Sequence, residues 1–439
     1  MTTRSSTPSP LDKEKFHHDD AHQPDSDSPP PPITFPEGGT RAWLTVLGGS
    51  ISVFCTFGVV QSFGVYQDYY TRVLLSEHSP SEISWIGSVQ VFLVFAVGLP
   101  AGKLFDLGYF HHLLIIGSLL YLFSSFMLSL AQPHSYYQVF LAQSIGEGLG
   151  MGLLFIPSLA VSSHYFRKKR SLAMGLIIAG ASLGGCLYPI MLNNIFQNAG
   201  FGWGVRAVSF LDFGLLILAN LIMRTRLPPN RKKGNNLPLL KELLTDVPFL
   251  LYGAGSFLAF WGAFIPFFYL QLFASLHNLD KTFTKYSLTI MNATSIFGRI
   301  VPNLIADKYG PMNTLIVSSF VTGGLVFALF GATNEGGAAA FGIFYGFFSG
   351  GTISLITPAL TSFITHNDGS DLPLRIALLS FLLSLPLLTG NPLAGALLSP
   401  PHYLWFRPII LASMFLLAGS GCFVVTWTLL HKRKNTAII

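Results

Sequence analysis

Two charged residues lie deep inside long apolar segments of this chain, where any charge is costly. Glu147 is about ten residues into one segment, which is a depth of roughly 15 Å in a helix that rises about 1.5 Å per residue. Arg299 lies past the middle of another segment, towards its carboxyl end. A charge at the centre of a bilayer costs at least about 2.5 kcal/mol, so both residues are candidates for function.

Glu147 stands in the sequence Gly146-Glu-Gly-Leu-Gly-Met-Gly152, whose glycines let neighbouring helices approach closely. Burial favours the protonated form of a carboxyl group, so this residue could load and release a proton near neutral pH, or bind a ligand. The alternative is a structural hydrogen bond to a neighbouring helix. The sequence leaves both interpretations open.

Arg299 needs an anionic partner, because a guanidinium does not lose its proton in proteins. It could hold the carboxylate of a ligand with its planar fork of N–H donors, or pair with Asp307 or another loop acid. A third acidic residue, Asp212, stands early in another apolar run. We expect it near the outer surface, solvated or paired with Arg206 rather than functional.

The composition places these residues in a membrane protein. Hydrophobic residues make up 51% of the chain and charged residues only 10%, against about 25% charged in a soluble domain. A helix that spans a bilayer needs about 20 mainly apolar residues. Runs of this kind predict twelve spanning helices, at 43–67, 83–105, 112–131, 137–161, 173–197, 207–223, 249–273, 285–306, 314–332, 337–363, 374–397 and 408–430. Pro386 and Pro392 predict a kink or a partial break in the run at 374–397.

The basic residues give these helices an orientation. A polar, basic stretch at 224–236 divides the runs into six and six. If both termini are cytoplasmic, 20 of the 26 Lys and Arg residues lie on the cytoplasmic side and five on the other, which is the bias that orients membrane proteins. We therefore predict an all-α membrane protein with both termini cytoplasmic. Its parts are a disordered cytoplasmic tail (1–40), an N-terminal six-helix half (41–223), a cytoplasmic linker (224–248), a C-terminal six-helix half (249–430) and a cytoplasmic tail (431–439).

The two halves repeat short motifs at matching positions. Gly150-Met-Gly-Leu-Leu-Phe-Ile-Pro157 in the fourth run corresponds to Gly350-Gly-Thr-Ile-Ser-Leu-Ile-Thr-Pro358 in the tenth. Gly102-Lys-Leu-Phe-Asp106 after the second run corresponds to Asn303-Leu-Ile-Ala-Asp307 after the eighth. Parallel six-helix repeats are the architecture of major facilitator transporters, whose substrate site lies between the halves near the midplane.

Two longer motifs stand at the starts of the first and fifth runs. Pro36-Glu-Gly-Gly-Thr-Arg-Ala-Trp43 is close to the pattern acidic-Gly-Gly-x-x-Ala-Trp. The stretch from Tyr165 to Gly184 fits Tyr-Phe-x3-Arg-x2-Ala-x-Gly-x3-Ala-Gly-x3-Gly throughout. On these motifs the chain, over residues 36–434, resembles the monocarboxylate porter family of the major facilitator superfamily, in its fungal monocarboxylate-transporter-like branch.

The resemblance implies that Arg299 anchors a substrate carboxylate. Four residues on helices that commonly line the cavity are further candidates for substrate binding, with packing as the alternative: Gln61, Tyr66, Tyr269 and Asn292. Four charged residues at cytoplasmic helix ends are expected to latch the halves in one access state, or else to be solvated loop charges: Asp106, Arg170, Asp307 and Lys308.

The sequence departs from the family pattern at three places. Leu107 stands where the superfamily motif has an arginine, and the stretch around Gln61 lacks the lysine of well-studied animal members. Ser295 stands one turn before Arg299, where those members carry an acidic residue. A proton-coupled monocarboxylate mechanism therefore does not transfer intact.

These features predict a secondary transporter that moves a small organic solute, monocarboxylate-like or a related anion, by alternating access. An efflux carrier for a fungal secondary metabolite is one alternative, and a non-transporting membrane sensor is an alternative of another class. No hydrolase, metalloprotease or phosphate-loop motif stands out, so we expect no enzyme activity, cofactor or metal. The expected partners are the solute, a coupled proton and the lipid bilayer, without nucleic acid, and the expected location is the plasma membrane.

Overall fold

The structure is a computed structural model that describes residues 35–228, 237–363, 372–399, 403–434 and 436. Within these ranges the chain is helical, with no strand. The predicted tail up to residue 34, the centre of the predicted linker at 229–236, and residues 435 and 437–439 of the second tail lie outside the described residues.

Twelve long helices follow one another in the described ranges. We number them α1 to α12 in chain order: Thr40–Leu74, Pro80–Asp106, Phe110–Leu128, Tyr136–His164, Arg170–Ala199, Phe201–Ile222, Val247–Leu276, Lys281–Tyr309, Pro311–Gly331, Glu335–Phe363, Leu372–Leu398 and Phe406–Lys434. A short helix, Leu237–Leu243, lies in the predicted linker. Eleven of the described helices are long and apolar enough to cross a bilayer. The remaining long helix, α8, is more polar than these eleven.

The polarity of α8 has a local cause. The helix is 29 residues long, so its length is sufficient. Polar residues recur at every third or fourth position, which places them on one face: Lys285, Thr289, Asn292, Ser295, Arg299 and Asn303. Four of them, Asn292, Ser295, Arg299 and Asn303, are buried inside the protein. The polar face is therefore covered by other helices instead of facing lipid.

Two helix bounds differ by six residues or more from the sequence-based expectation, and one expected break is absent. α1 continues beyond residue 67 through a π-helical turn, Tyr70–Leu74, and α6 begins at Phe201 instead of 207. α11 runs as one helix across Pro386 and Pro392, so the expected partial break is absent there. The first difference places Asp68 inside α1, and the second places Asp212 deeper along α6 than expected, which matters for the site.

The surface of the bundle is apolar at the depth of these helices. Five large side chains on four helices are each more than half exposed: Leu119, Phe210, Leu221, Phe297 and Phe320. An apolar belt of this kind suits lipid and not water. Inside, α1 and α5 touch backbone to backbone, since a Cβ on Gly58 would come within 2.7 Å of the Gly184 Cα.

The internal repeat is visible in the backbone. α2 and α8 are each followed by a glycine with φ of 95°, Gly108 and Gly310, a conformation that side chains with a Cβ rarely adopt. α4 and α10 each end in a 3₁₀ turn shortly after Pro157 and Pro358. The two halves therefore share their turn geometry as well as their motifs.

The motif before α1 packs against the start of α5. The Glu37 carboxylate accepts backbone N–H groups from Arg167, Lys168 and Lys169 at 2.7–3.1 Å. Slight burial by itself would raise the pKa of Glu37, but these three donors lower it below its ordinary value of 4.5. The carboxylate also faces the positive end of the α5 dipole, so it fixes the segment before α1 to that end.

Candidate functional site

α5 and α8 join the two halves along a line of polar contacts. The Nη1 atom of Arg299 donates to the carbonyl of Ile178 at 2.7 Å. One turn away, the hydroxyl groups of Ser182 and Ser295 lie 2.5 Å apart. The spacing of four residues on both helices repeats the period of an α-helix, so both pairs lie on facing surfaces.

The same line continues towards the other ends of these helices. Asn292, fully buried, donates through Nδ2 to the carbonyl of Gly185 at 3.0 Å. Asn193 donates to the carbonyl of Lys285 at 3.2 Å. We call this row of contacts, from Ile178–Arg299 to Asn193–Lys285, the polar seam.

Arg299 is the charged member of the seam. Its side chain is only 2% exposed, and its Nε has no hydrogen-bond partner. No ion pair joins it to Asp307, which is exposed at the end of α8, or to any other described carboxylate. The expected alternative of a loop-acid partner is therefore not seen among the described residues. The guanidinium keeps unused donor capacity that an anionic group could accept.

Glu147 lies in the opposite half. It ends a π-helical segment, Phe140–Glu147, in the middle of α4, and such segments are frequent at functional sites. Its carboxylate, 2% exposed, accepts a hydrogen bond from Gln90 of α2 at 2.8 Å. The hydrogen bond to a neighbouring helix, which is the structural alternative for Glu147, is thus present. No basic residue among those described pairs with this carboxyl group. Its functional role stays a prediction.

The remaining cavity candidates differ in what they contact. Both polar side-chain atoms of Gln61 are buried without a partner among the described residues, which is rare for a buried amide. The Tyr66 ring packs against aromatic neighbours: its centre lies 6.5 Å from the ring centre of Phe63 and 6.0 Å from that of Phe196. Tyr269 donates to the Asn391 carbonyl of α11 at 2.9 Å, inside the C-terminal half. Among the described residues, Gln61 is thus a candidate with free polar atoms, as are Asn292, through its Oδ1, and Arg299, through its Nε.

Asp212 is an acidic residue whose surroundings the sequence analysis misjudged. It is fully buried and accepts hydrogen bonds from the hydroxyl groups of Tyr121, at 2.6 Å, and of Tyr188. Arg206, its expected partner, donates instead to the Ser129 hydroxyl at 3.2 Å. The error follows from the start of α6, because eleven residues from Phe201 place Asp212 about 16 Å along the helix.

Asp68 is a second acidic residue that the sequence analysis missed. It is 3% exposed, pairs with Arg72 one turn later, and accepts a hydrogen bond from Gln271 of α7 at 3.3 Å. Ser81 of α2 also reaches the C-terminal half, donating to the Pro392 carbonyl at 3.0 Å. The end of the bundle where α1 stops is therefore closed by contacts between the halves.

The comparison with known families identifies the fold that these contacts belong to. The profile of the Major Facilitator Superfamily matches residues 42–370. The chain belongs to the major facilitator superfamily. It is therefore a multi-pass membrane transporter of small molecules, and proteins of this superfamily are generally not enzymes.

Several curated major facilitator proteins from fungi are similar to the chain. The aspyridones efflux protein apdF of Emericella nidulans is 42% identical over 83% of this chain and 73% of its own length. The MFS-type transporter pynF of Aspergillus niger is 37% identical over 89% of both chains. The agnestins efflux protein AgnL12 of Paecilomyces divaricatus is 36% identical over 90% of this chain and 88% of its own. None of these three names mentions a monocarboxylate, so the finer branch stays a prediction.

Three of the residues expected to latch this major facilitator protein are exposed. Asp106 ends α2 and has no ion-pair partner among the described residues. Asp307 and Lys308 lie in the last turn of α8, where the Lys308 ammonium is 5.2 Å from the ring centre of Tyr309. Their gating role stays a prediction.

Arg170, the fourth residue expected to latch the halves, reaches the opposite half of the transporter. Together with Met174 it lines a small pocket against Pro358 and Thr361 of α10 and Ile376 of α11. The first turn of α5 therefore faces the ends of two C-terminal helices across this pocket. The gating role of Arg170 also stays a prediction.

Proposed function

We propose that this transporter exports a small organic product that carries an acidic group. The observation that carries the proposal is Arg299, a buried guanidinium with an unused Nε and no described carboxylate partner. A charge buried without a partner is strongly destabilising, and an anionic cargo would supply that partner through two parallel hydrogen bonds. We also propose Gln61 and Asn292 as polar contacts of the cargo, because both are buried and carry side-chain atoms without a partner among the described residues.

The names of relatives support export as the direction. Two relatives, at 42% and 36% identity, are named as efflux proteins for aspyridones and for agnestins. The interior also favours a cargo with an apolar body. Phe57 lies 4.5 Å from Phe155, and Phe95 lies 6.2 Å from Phe260 of the C-terminal half, measured between ring centres. Aromatic walls of this kind suit a ring-bearing product better than a simple monocarboxylate.

The topology we propose has twelve spans, both termini cytoplasmic and the plasma membrane as location. The length of α8 and the burial of its polar face support it as the twelfth span. The halves are 41–223 and 249–430, joined by the linker 224–248, with tails at 1–40 and 431–439. The bias of basic residues towards one side supports this orientation.

The transport cycle follows from the contacts between the halves. Where α1 ends, the halves are held together by Asp68–Gln271 and by Ser81–Pro392. With both termini cytoplasmic this end faces outward, so release of cargo requires these contacts to break while those of Arg170 form or persist. Glu147 is the proposed site for a coupled proton, because it is buried without a basic partner among the described residues.

A second candidate is proton-coupled uptake of a monocarboxylate. It is favoured by the porter-like motif from Tyr165 to Gly184 and by the same guanidinium. Against it, Ser295 stands at the position of the acidic partner and its hydroxyl is engaged by Ser182. Uptake of radiolabelled lactate into vesicles, with and without an inward proton gradient, separates the two: gradient-driven uptake would favour the porter and contradict export as the function.

The export proposal is tested by deleting the gene in its host and comparing extracellular with cellular metabolites. We expect one acidic product to shift from the medium into the cells. Wild type should restore its export, and Arg299→Ala should leave it at least about tenfold lower, since a hydrogen bond to a charge is worth about 1.5–3 kcal/mol.

The control for this deletion experiment is Arg407→Ala. Arg407 is an exposed arginine whose contact is a 3.3 Å hydrogen bond to Ser399, and we expect this variant to export like wild type. Unchanged extracellular metabolites after deletion, or wild-type export by Arg299→Ala in membranes that contain the protein, would contradict the proposal.

A further inference from the structure

Asp212 is bound by side chains from separate helices, away from the polar seam. Tyr121 of α3 and Tyr188 of α5 both place their hydroxyl groups on the Asp212 carboxyl group of α6. The same Tyr121 hydroxyl lies 3.1 Å from the carbonyl of Cys55 in α1. One carboxyl group thus ties four helices of the N-terminal half together.

The hydrogens in this cluster can be counted. Tyr121 has one O–H but two acceptors within reach, the Asp212 carboxyl group and the Cys55 carbonyl. If Asp212 is ionised, the Tyr121 hydroxyl donates to it and the Cys55 carbonyl loses that donor. If Asp212 is protonated, its own O–H donates to the Tyr121 oxygen, and the Tyr121 hydroxyl is free to donate to Cys55. Every contact is then satisfied.

The charges around Asp212 also favour a proton. The titratable groups facing it are the Tyr121 and Tyr188 hydroxyls, the Cys55 thiol and, further away, the Tyr66 hydroxyl of α1 and Glu147 of α4. None of these groups is basic, and no basic side chain among the described residues forms an ion pair with Asp212. Two carboxylates near each other at this depth cannot both be ionised without a large cost.

Hydroxyl groups lead from one carboxyl group towards the other. The Ser125 hydroxyl of α3 lies beside the Glu147 carboxyl group and 2.8 Å from the hydroxyl of Ser209. Ser209 is three residues before Asp212 on α6, so it lies on the same face of that helix. The two acids therefore share one polar region inside an otherwise apolar half.

We propose that Asp212 is a second proton-binding carboxyl group of the transport cycle, paired with Glu147, and that the Tyr121 hydroxyl switches between Asp212 and Cys55 when that proton moves. The proton leaves the Asp212 oxygen for Glu147 or for water, and Tyr121 turns its O–H from the Cys55 carbonyl to the new carboxylate. Tyr188 transmits the change, because it stands one turn from Gly185, where Asn292 of α8 binds. This inference rests on the proposed transport cycle and adds a site to it.

Infrared spectroscopy of the purified full-length protein tests proton binding without any cargo. A protonated buried carboxyl group gives a C=O stretching band that disappears on ionisation and shifts in heavy water. We expect a band that disappears as pH rises and is missing in Asp212→Asn, with a second band missing in Glu147→Gln. A spectrum of Asp212→Asn equal to wild type over the whole titration would overturn the proposal.

Tyr121→Phe tests whether the Tyr121 hydroxyl sets the pH at which Asp212 ionises. If Asp212 were only structural, this substitution would not change that pH. The variant removes one of the two donors to the ionised carboxylate, so the Asp212 band should persist to higher pH than in wild type. An unchanged titration in Tyr121→Phe would overturn the switch. Thermal unfolding of each purified variant shows that the folded protein is being measured.

A transport measurement then separates this inference from the proposed function. With the exported product in proteoliposomes, Asp212→Asn should lose most of the dependence on the proton gradient but keep exchange of labelled for unlabelled product. If no product is transported by wild type while the Asp212 band still titrates, the export proposal fails and the proton site stands. Gradient dependence equal to wild type in Asp212→Asn would overturn the role of Asp212 in the cycle.

Discussion

Two arginines of the C-terminal half are buried to the same extent and are treated differently by the protein. Arg375 is 2% exposed, lies 3.5 Å from the Asp246 carboxylate, and stands over the rings of Phe249 and Phe363 at 5.2 and 5.8 Å. Arg299 is equally buried, but no described carboxylate or ring accompanies it. The protein completes the surroundings of the Arg375 guanidinium with its own side chains, and we propose that an anionic ligand completes those of Arg299.

The comparison separates burial from function. Burial marks both arginines as costly, so burial by itself does not show which of the two is functional. The partner distinguishes them: an arginine with its own carboxylate and aromatic rings stabilises the fold, whereas one bonded to a helix carbonyl retains donors for an anion. Substitution of Arg375 should therefore lower stability, and substitution of Arg299 should lower affinity for the cargo.

The largest effect should come from Arg375→Ala. The substitution removes the Arg375 guanidinium from its buried pair with the Asp246 carboxylate, so we expect the free energy of unfolding to fall by about 3 kcal/mol. Arg433→Ala is the matched control, because Arg433 binds the same carboxylate at 3.2 Å but is about half exposed. That variant should lose less than about 1 kcal/mol. Thermal unfolding in detergent measures both, and equal losses would break the comparison.

A smaller effect should follow from Arg299→Lys. Lysine keeps the positive charge but lacks the planar fork, so we expect affinity for the exported product to fall roughly tenfold, or about 1.4 kcal/mol. The same exchange at Arg375 should leave affinity unchanged in the folded protein. Competition binding to the purified transporter measures both constants. A loss of affinity in Arg375→Lys as large as in Arg299→Lys would refute the distinction.

The smallest effect concerns Glu37, whose carboxylate accepts three backbone N–H groups near the membrane surface. Its folded pKa lies below the ordinary value of 4.5, so its stabilising contribution is present above pH 4.5 and is lost as pH falls through the folded pKa. Glu37→Gln should therefore lower stability near neutral pH by about 0.5 kcal/mol, with the difference vanishing in acid. Unfolding midpoints of both proteins at neutral and acid pH test this. A difference that grew in acid would contradict the assignment.

The sequence predicted the scaffold well because its signals are local. Runs of apolar residues located the long helices, and α8 was found at 285–306 although its composition is the least apolar. The repeated glycine motifs correspond to equal backbone conformations at Gly108 and Gly310. Each of these features depends on neighbouring residues, so it can be read from a single chain.

The partners of charged residues could not be read in this way. The expectation that Asp212 is solvated failed because its donors, Tyr121 and Tyr188, come from helices far away in the sequence. The contact that Arg299 does make, with the Ile178 carbonyl, depends on how α5 covers α8. Packing between distant helices decides these points, and periodicity and motif spacing do not report it.

The central claim is that Arg299 binds the anionic group of the exported product, and one binding measurement tests it most directly. The product retained by the deletion strain is compared with its neutral methyl ester on the purified protein. The account predicts that wild type binds the acid at least about tenfold more tightly than the ester, and that Arg299→Ala binds both alike. Equal discrimination between acid and ester by wild type and Arg299→Ala would contradict it.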